Sequence, residues 1–308
     1  MTTTAPALGL DPVEVDKADD NDLTLWSVTT ILKVLSSEAL LYWSAEQAAE
    51  AAIDNAATWQ AMLTDRGRDE TVKWLRDARF RRPKTALSAA NLGSATHKVC
   101  EHYALTGERP DRDFVAGWVE HYGSSQVNVR AETDVIGRML VQFDSWLQRF
   151  QPSYQATEVA VYHPTYGYAG QADAFLTIDG VRFVADYKTS RAAVDSRGKP
   201  KTPYPDQVGL QLAAYRNAEY AAVWRPRRTE KYRRRYYLLS TAEREMAVPV
   251  PEVDTGLCIQ ITPESCEAYP IRCDESVHHA FLYTLEAFRW AQQTSKHVMG
   301  EALERSAA

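Results

Sequence analysis

The sequence predicts an α/β protein: a central mixed β-sheet flanked by helices, preceded by a helical N-terminal portion. Three observations predict it. From Ser27 to about Gln151 the apolar residues recur with the spacing of a helix face, and after Pro152 the pattern changes to strand-like alternation. Helical periodicity then returns at "DQVGLQLAAYRNAEYAAVW" and again at "DESVHHAFLYTLEAFRWAQQ", on either side of further short strands. Strands interleaved with helices imply a sheet covered on its faces. The 308 residues, 45% hydrophobic and 25% charged, are enough for a substantial core and match ordinary globular composition.

Residues 1–23, "MTTTAPALGLDPVEVDKADDNDL", have neither a basic start nor an apolar stretch and read as a flexible acidic tail rather than a secretory leader. No run approaches the roughly 20 apolar residues of a membrane span. A cytoplasmic protein without a membrane partner is expected. Residues 24–151 form the helical portion. "SSEALLYWSAEQAAEAAI" opens on serine caps and is rich in helix formers, "DETVKWLRDARF" follows, and "SAANLGSATHKVCEHYALTG" stops at a glycine. "AETDVIGRMLVQFDSWLQRF" ends before Pro152. The core is expected over 152–298, with 299–308 a flexible tail and no boundary between independent domains. Its strands are "YQATEVAVYH", a hairpin over 170–190, and two short ones around "GLCIQIT" and "CEAYPIRC".

The hairpin "GQADAFLTIDGVRFVADYKTS" raises the chemical question. Asp179-Gly180 between β-rich runs signals a two-residue type I′ turn. Ile178 then pairs with Val181, Phe175 with Val184, Asp173 with Asp186 and Gln171 with Lys188. Alternation puts Ala172, Ala174, Leu176, Ile178, Val181, Phe183, Ala185 and Tyr187 on one apolar face. Gln171, Asp173, Asp186 and Lys188 cluster on the other, at the end away from the turn. Directly opposed residues have Cβ atoms about 4.5–5.5 Å apart, where like charges repel. Two aspartates so placed invite a shared proton or a cation, and Mg²⁺ is commonly held by one or two carboxylates with phosphate and water. A solvated polar face is the alternative.

The net charge of −6 conceals an asymmetry, because Val181 to Tyr237 contains fourteen Lys/Arg against five Asp/Glu. The densest part is "WRPRRTEKYRRRYY", with Arg225, Arg227, Arg228, Lys231, Arg233, Arg234 and Arg235 among aromatic residues. A smaller cluster, "RFRRPK", covers residues 79–84. Basic stripes with aromatics suit a phosphate backbone and stacked bases, so these seven residues are candidate nucleic-acid contacts. A charged, solvated strand edge is the other reading. Cys100, Cys258, Cys266 and Cys273 contain no C-x-x-C pair and read as buried or free thiols.

Around the hairpin, Glu158 lies on the preceding strand, and Gly93, His97 and Glu101 are spaced by four on one helix face. Gln207, Gln211 and Tyr215 share a face of a later helix. His102 and His163 read as structural or exposed. The ordered set is Gly93-x-x-x-His97, Glu158, Gly170-x-x-Asp173, Asp186-Tyr187-Lys188-Thr189 and Gln211-x-x-x-Tyr215. It resembles the PD-(D/E)-x-K nuclease superfamily, in its RecB-like exonuclease branch with phage-encoded and CRISPR-associated members. Ala172-Asp173 stands where the family name has Pro-Asp.

The resemblance implies a restriction-endonuclease-like core and a divalent-metal-dependent DNase, an exonuclease of recombination or DNA end processing. A structure-specific endonuclease and a silent DNA-binding subunit are the alternatives. It implies Asp173 and Asp186 as metal-ligating acids, the Tyr187 carbonyl and His97 as further ligands, and Glu158 as the supporting acid. Lys188 would position water and offset phosphate charge, and Gln211 and Tyr215 would orient the strand or the lysine. One or two Mg²⁺ or Mn²⁺ ions are implied. The cysteine spacings do not match the tight C-terminal cluster of iron–sulfur members, so no such cluster is expected. DNA, linear duplex or single strand, is the implied partner, and a recombination annealing protein or helicase would work beside it, in a bacterial or phage-infected cytoplasm.

Overall fold

The computed structural model describes residues 23–35, 38–78, 86–194, 198–201, 205–222 and 236–301. The candidate nucleic-acid contacts between Arg225 and Arg235, the 79–84 cluster and most of both tails lie outside the described residues.

The chain opens with β1 (Leu23–Ser27) and α1 (Val28–Ile31), followed by α2 (Glu38–Asp54) and α3 (Ala56–Ala78), the latter interrupted at Gly67. Three helices come next: α4 (Ala89–Thr106), α5 (Arg112–Tyr122) and α6 (Val129–Phe150). The central strands are β2 (Ser153–His163), β3 (Tyr168–Ile178) and β4 (Val181–Thr189). After α7 (Pro205–Arg216) come β5 (Tyr220–Ala222), β6 (Tyr236–Leu239), α8 (Thr241–Met246) and β7 (Val248–Pro249). The chain closes with β8 (Thr255–Ile261), β9 (Cys266–Ile271) and α9 (Glu275–Arg289).

Among the described residues nine strands form one mixed sheet, in the order β7-β5-β2-β3-β4-β8-β9, with β1 joined to β3 and β6. The β4–β8 and β1–β3 pairs are parallel, whereas β2–β3 and β3–β4 are antiparallel. Both faces are covered, which is the expected α/β layering. On one face α1, α7 and α9 bring Ile31, Leu212 and Phe281 against Val161, Phe175 and Val184. On the other, α4, α5 and α6 bring Val99, Val119 and Phe143 against Leu176, Ala185 and Ile259.

The turn forms as the sequence indicates, with Asp179 at φ 50 and Gly180 at φ 81, and pairing runs from Ile178↔Val181 to Ala174↔Ala185. The single apolar face does not hold throughout. Ala172 packs with Phe175 in the first core, while Ala174 lies in the second. The break falls opposite Glu158 on β2, whose φ of 51 places it in the left-handed region between the pairs Thr157↔Ala174 and Val159↔Ala172.

Other elements also differ from the sequence reading, among them β6, α8 and β7, which it did not contain. Leu23–Ser27 is a strand rather than tail and helix, because β3 and β6 supply its hydrogen-bonding partners. The helix expected to reach Trp224 stops at Arg216, where the Asn217 side chain donates to the Ala213 carbonyl at 2.8 Å and Tyr220–Ala222 pairs with β2. Helix α5, absent from that reading, is capped by Asp111, whose side chain accepts from the Phe114 N–H.

Candidate active site

The β3–β4 ladder ends at Ala174↔Ala185, one residue short of the two aspartates. The Tyr187 N–H donates instead to Asp173 Oδ2 at 2.7 Å, so a carboxylate replaces the backbone partner and the strands part at the site. The directly opposed Asp173/Asp186 pair expected from the turn is therefore opened out. Helix α4 closes one side of the gap. His97 Nε2 lies 3.0 Å from the Tyr187 carbonyl, an acceptor only, so that nitrogen carries the proton. Nδ1 lies 3.7 Å from Asp173 Oδ2.

Helix α7 closes the other side. Asp186, 2% exposed, accepts from Gln211 Nε2 through Oδ1 at 2.7 Å, and its Oδ2 pairs with the Lys188 ammonium. The same Gln211 amide nitrogen lies 3.2 Å from the Tyr215 hydroxyl. The Tyr215 ring rests on the backbone at Gly170, where a Cβ would meet Cε1 at 2.2 Å. Only glycine lets the ring lie there.

The electrostatics favour a cation. One ligand atom each from His97, Glu158 and Asp173 lies within 4.8 Å of the others. Burial, and then the Asp173 charge, push the Glu158 carboxyl up to about 8, with Lys98 opposing. Burial also raises Asp173; His97 counteracts it and Asp186 adds to it. The Lys188 ammonium is opposed by burial, but Asp186 and Asp173 outweigh this and raise its pKa. Two carboxylates driven towards the neutral form, with an imidazole nitrogen beside them, make a donor set short of positive charge. These residues fit a divalent ion, with Asp186 and the Tyr187 carbonyl bordering the same gap.

Every candidate from the hairpin, α4 and α7 except Gln207 reaches this region. Gln207 turns away, its amide nitrogen 3.4 Å from the Leu35 carbonyl. Glu101, one turn beyond His97, is neither solvated nor bonded to that ring: it is buried and accepts from Lys98 at 2.6 Å. Gly93 makes room for a side chain, since a Cβ there would stand 3.3 Å from Thr189 Oγ1. His163 is structural, buried and 2.7 Å from Glu219.

Gln171, placed in the polar cluster by the sequence, donates its amide to Glu158. One participant was missed: Lys98, 4.0 Å from the same carboxylate. The Lys98/Glu101 spacing of three on a helix was the available signal. All four cysteines are free thiols; Cys258 pairs in register with Asp186, and burial, with the Asp186 charge, pushes its thiol up to about 12.

A mixed sheet whose parted strands carry two acids and a lysine, beside a helix that brings in a histidine, presents a site that a divalent cation fits. The family model of the PD-(D/E)XK nuclease superfamily matches residues 40–307, and the chain belongs to that superfamily. Divalent-metal-dependent nucleolysis is therefore its class of activity. No curated relative matches. A solved structure described as "Crystal structure of SSO0001" aligns over 69% of this chain and 79% of its own, at 16% identity and a TM-score of 0.26. No described helix is long and apolar enough to cross a membrane.

Proposed function

We propose that the protein is a DNA exonuclease of the RecB-like branch, acting with one or two Mg²⁺ or Mn²⁺ ions in recombination or end processing. The observation that carries the site assignment is the convergence of His97, Glu158 and Asp173 within 4.8 Å beside the Asp186–Lys188 pair. The excess of basic residues between Val181 and Tyr237, in a chain otherwise acidic, supports a polyanionic substrate.

When bound, divalent ions supply an activated water and charge for the phosphate oxygens. The protein's own groups do the rest. Asp173 and Asp186, on parted strands, would hold the cation together with His97, Glu158 and the Tyr187 carbonyl. Lys188, paired with Asp186, is a point charge that orients water and offsets developing negative charge on the phosphate. Gln211 holds the Asp186 carboxylate in one orientation, and Tyr215, locked over Gly170, keeps Gln211 in place.

Asp186→Asn tests the reading on end-labelled linear duplex, single-stranded and closed circular DNA, each with Mg²⁺, Mn²⁺ or EDTA. The wild type should degrade linear DNA with either metal, spare the circles and stop in EDTA. The variant should lose at least a hundredfold in rate while still binding DNA. Undiminished cleavage by the variant would remove the site assignment, and cleavage of closed circles would make the enzyme an endonuclease.

A further inference from the structure

Directly after the Lys188 strand the chain doubles back beside the site. The Ser190 N–H donates to the Ile261 carbonyl at 3.2 Å, which extends the attachment of β4 to β8. Further on, the Lys201 N–H donates to the Ala193 carbonyl at 2.7 Å, and Val194 pairs with Pro200 in an antiparallel bridge. Outgoing and returning stems are thus joined.

Side chains fasten this paired segment on two sides. The Arg191 guanidinium donates to Glu132 Oε1 at 3.1 Å, to Oε2 at 2.5 Å and to the Leu87 carbonyl at 2.9 Å, tying the outgoing stem to α6 and the entry to α4. Glu264, between β8 and β9, accepts from the Ala193 N–H at 3.2 Å. Gln260, only 7% exposed, donates to the Lys201 carbonyl at 2.6 Å.

The position of Gln260 decides what this arrangement does. It is the register partner of Lys188 across the parallel β4–β8 pair. Partners on neighbouring strands stand about 4.8 Å apart and direct their side chains to the same face. The buried amide therefore holds the returning stem over β8, the strand next to the one that carries Lys188. That stem exposes Lys199 and Lys201 and leads, a few residues on, into α7 with Gln211. A buried amide is costly unless bonded, and here its bond fixes a stem carrying two solvent-exposed lysine residues beside the strand of the candidate catalytic lysine.

We propose that the Lys199–Lys201 stem grips the substrate backbone: the two ammonium groups bind phosphates flanking the one presented to Lys188. Gln260 and Arg191 are positioning residues that set the stem's place. The inference rests on the DNA-cleaving reading above and adds to it a named grip on the strand next to the scissile bond.

The test is binding of end-labelled single-stranded and duplex oligonucleotides by fluorescence anisotropy, in EDTA so that nothing is cut, across a salt series. For Lys199→Ala/Lys201→Ala, Kd should rise on the order of tenfold at low salt. The slope of log affinity against log salt should fall by about 0.7–0.9 for each lost phosphate contact. Lys199→Arg/Lys201→Arg should keep the wild-type slope. Gln260→Leu should reproduce the alanine pair's loss, and adding it to that pair should cause little further change, a non-additivity that a purely structural role does not give. An alanine pair with wild-type Kd and slope overturns the proposal while leaving the DNA reading intact. A wild type with no salt-dependent DNA binding overturns both.

Discussion

A methyl group added at Gly170 would stand 2.2 Å from Tyr215 Cε1 and 3.0 Å from Cζ, with the ring fully enclosed by α7 and the sheet. The glycine is thus required by close approach, not by backbone freedom. Gly170→Ala should destabilise the protein by about 1–3 kcal/mol, the usual cost of overpacking, as read from urea midpoints. The displaced ring should also release Gln211 from Asp186, so cleavage should fall further than stability accounts for. Tyr215→Leu in the Gly170→Ala background should recover part of the stability. A sum of two independent losses would show that the ring and the glycine do not act together.

At the scale of elements, the loop after β4 is tied to α6 through Glu132, which is 3% exposed and bonded to Arg191 and to the Leu87 N–H. Arg191→Ala leaves that carboxylate without its counter-ion and should cost about 3 kcal/mol, measured by chemical denaturation; Glu132→Gln in the same background should restore much of it. The hairpin upstream of this loop was legible because a two-residue turn at Asp179-Gly180 fixes every pair up to Ala174↔Ala185. The spacing of Gly93 and His97 on α4 was legible for the same kind of local reason. The parting of Asp173 and Asp186 was not, because it accompanies the left-handed backbone of Glu158 on another strand and a side-chain bond to the Tyr187 N–H. Nor was the end of α7, since "NAEYAAVW" contains good helix formers and pairing with β2 overrides them at Tyr220–Ala222. The basic run from Arg225 to Arg235, prominent in the sequence, lies outside the described residues.

At the scale of the whole molecule, the site's charge couples stability to pH and to metal. Glu158, pushed from 4.5 to about 8, and Asp173, also raised, hold protons more tightly in the fold than in the unfolded chain. Over the interval between those values the folded state binds more protons, so metal-free stability falls as pH rises and levels off above about 8. The melting temperature in EDTA should therefore drop between about pH 5.5 and pH 8.5. Saturating Mn²⁺ should shrink that drop, because a cation needs the deprotonated carboxylates and binds only the folded form. Glu158→Gln should flatten the metal-free curve, and a curve as steep as wild type would place the charge elsewhere.

The first strand bears on how the protein is handled at the bench. Family membership is recognised from residue 40 onward, yet Trp26 pairs with Tyr168 at the start of β3 and sets its ring edge-on to Phe288, 4.7 Å between centroids. A gene trimmed to the recognisable span would encode a sheet stripped of one member, with the flank of β3 and the underside of the last helix open to water. Expression clones, and the borders chosen when this domain is fused or swapped, should begin ahead of Leu23.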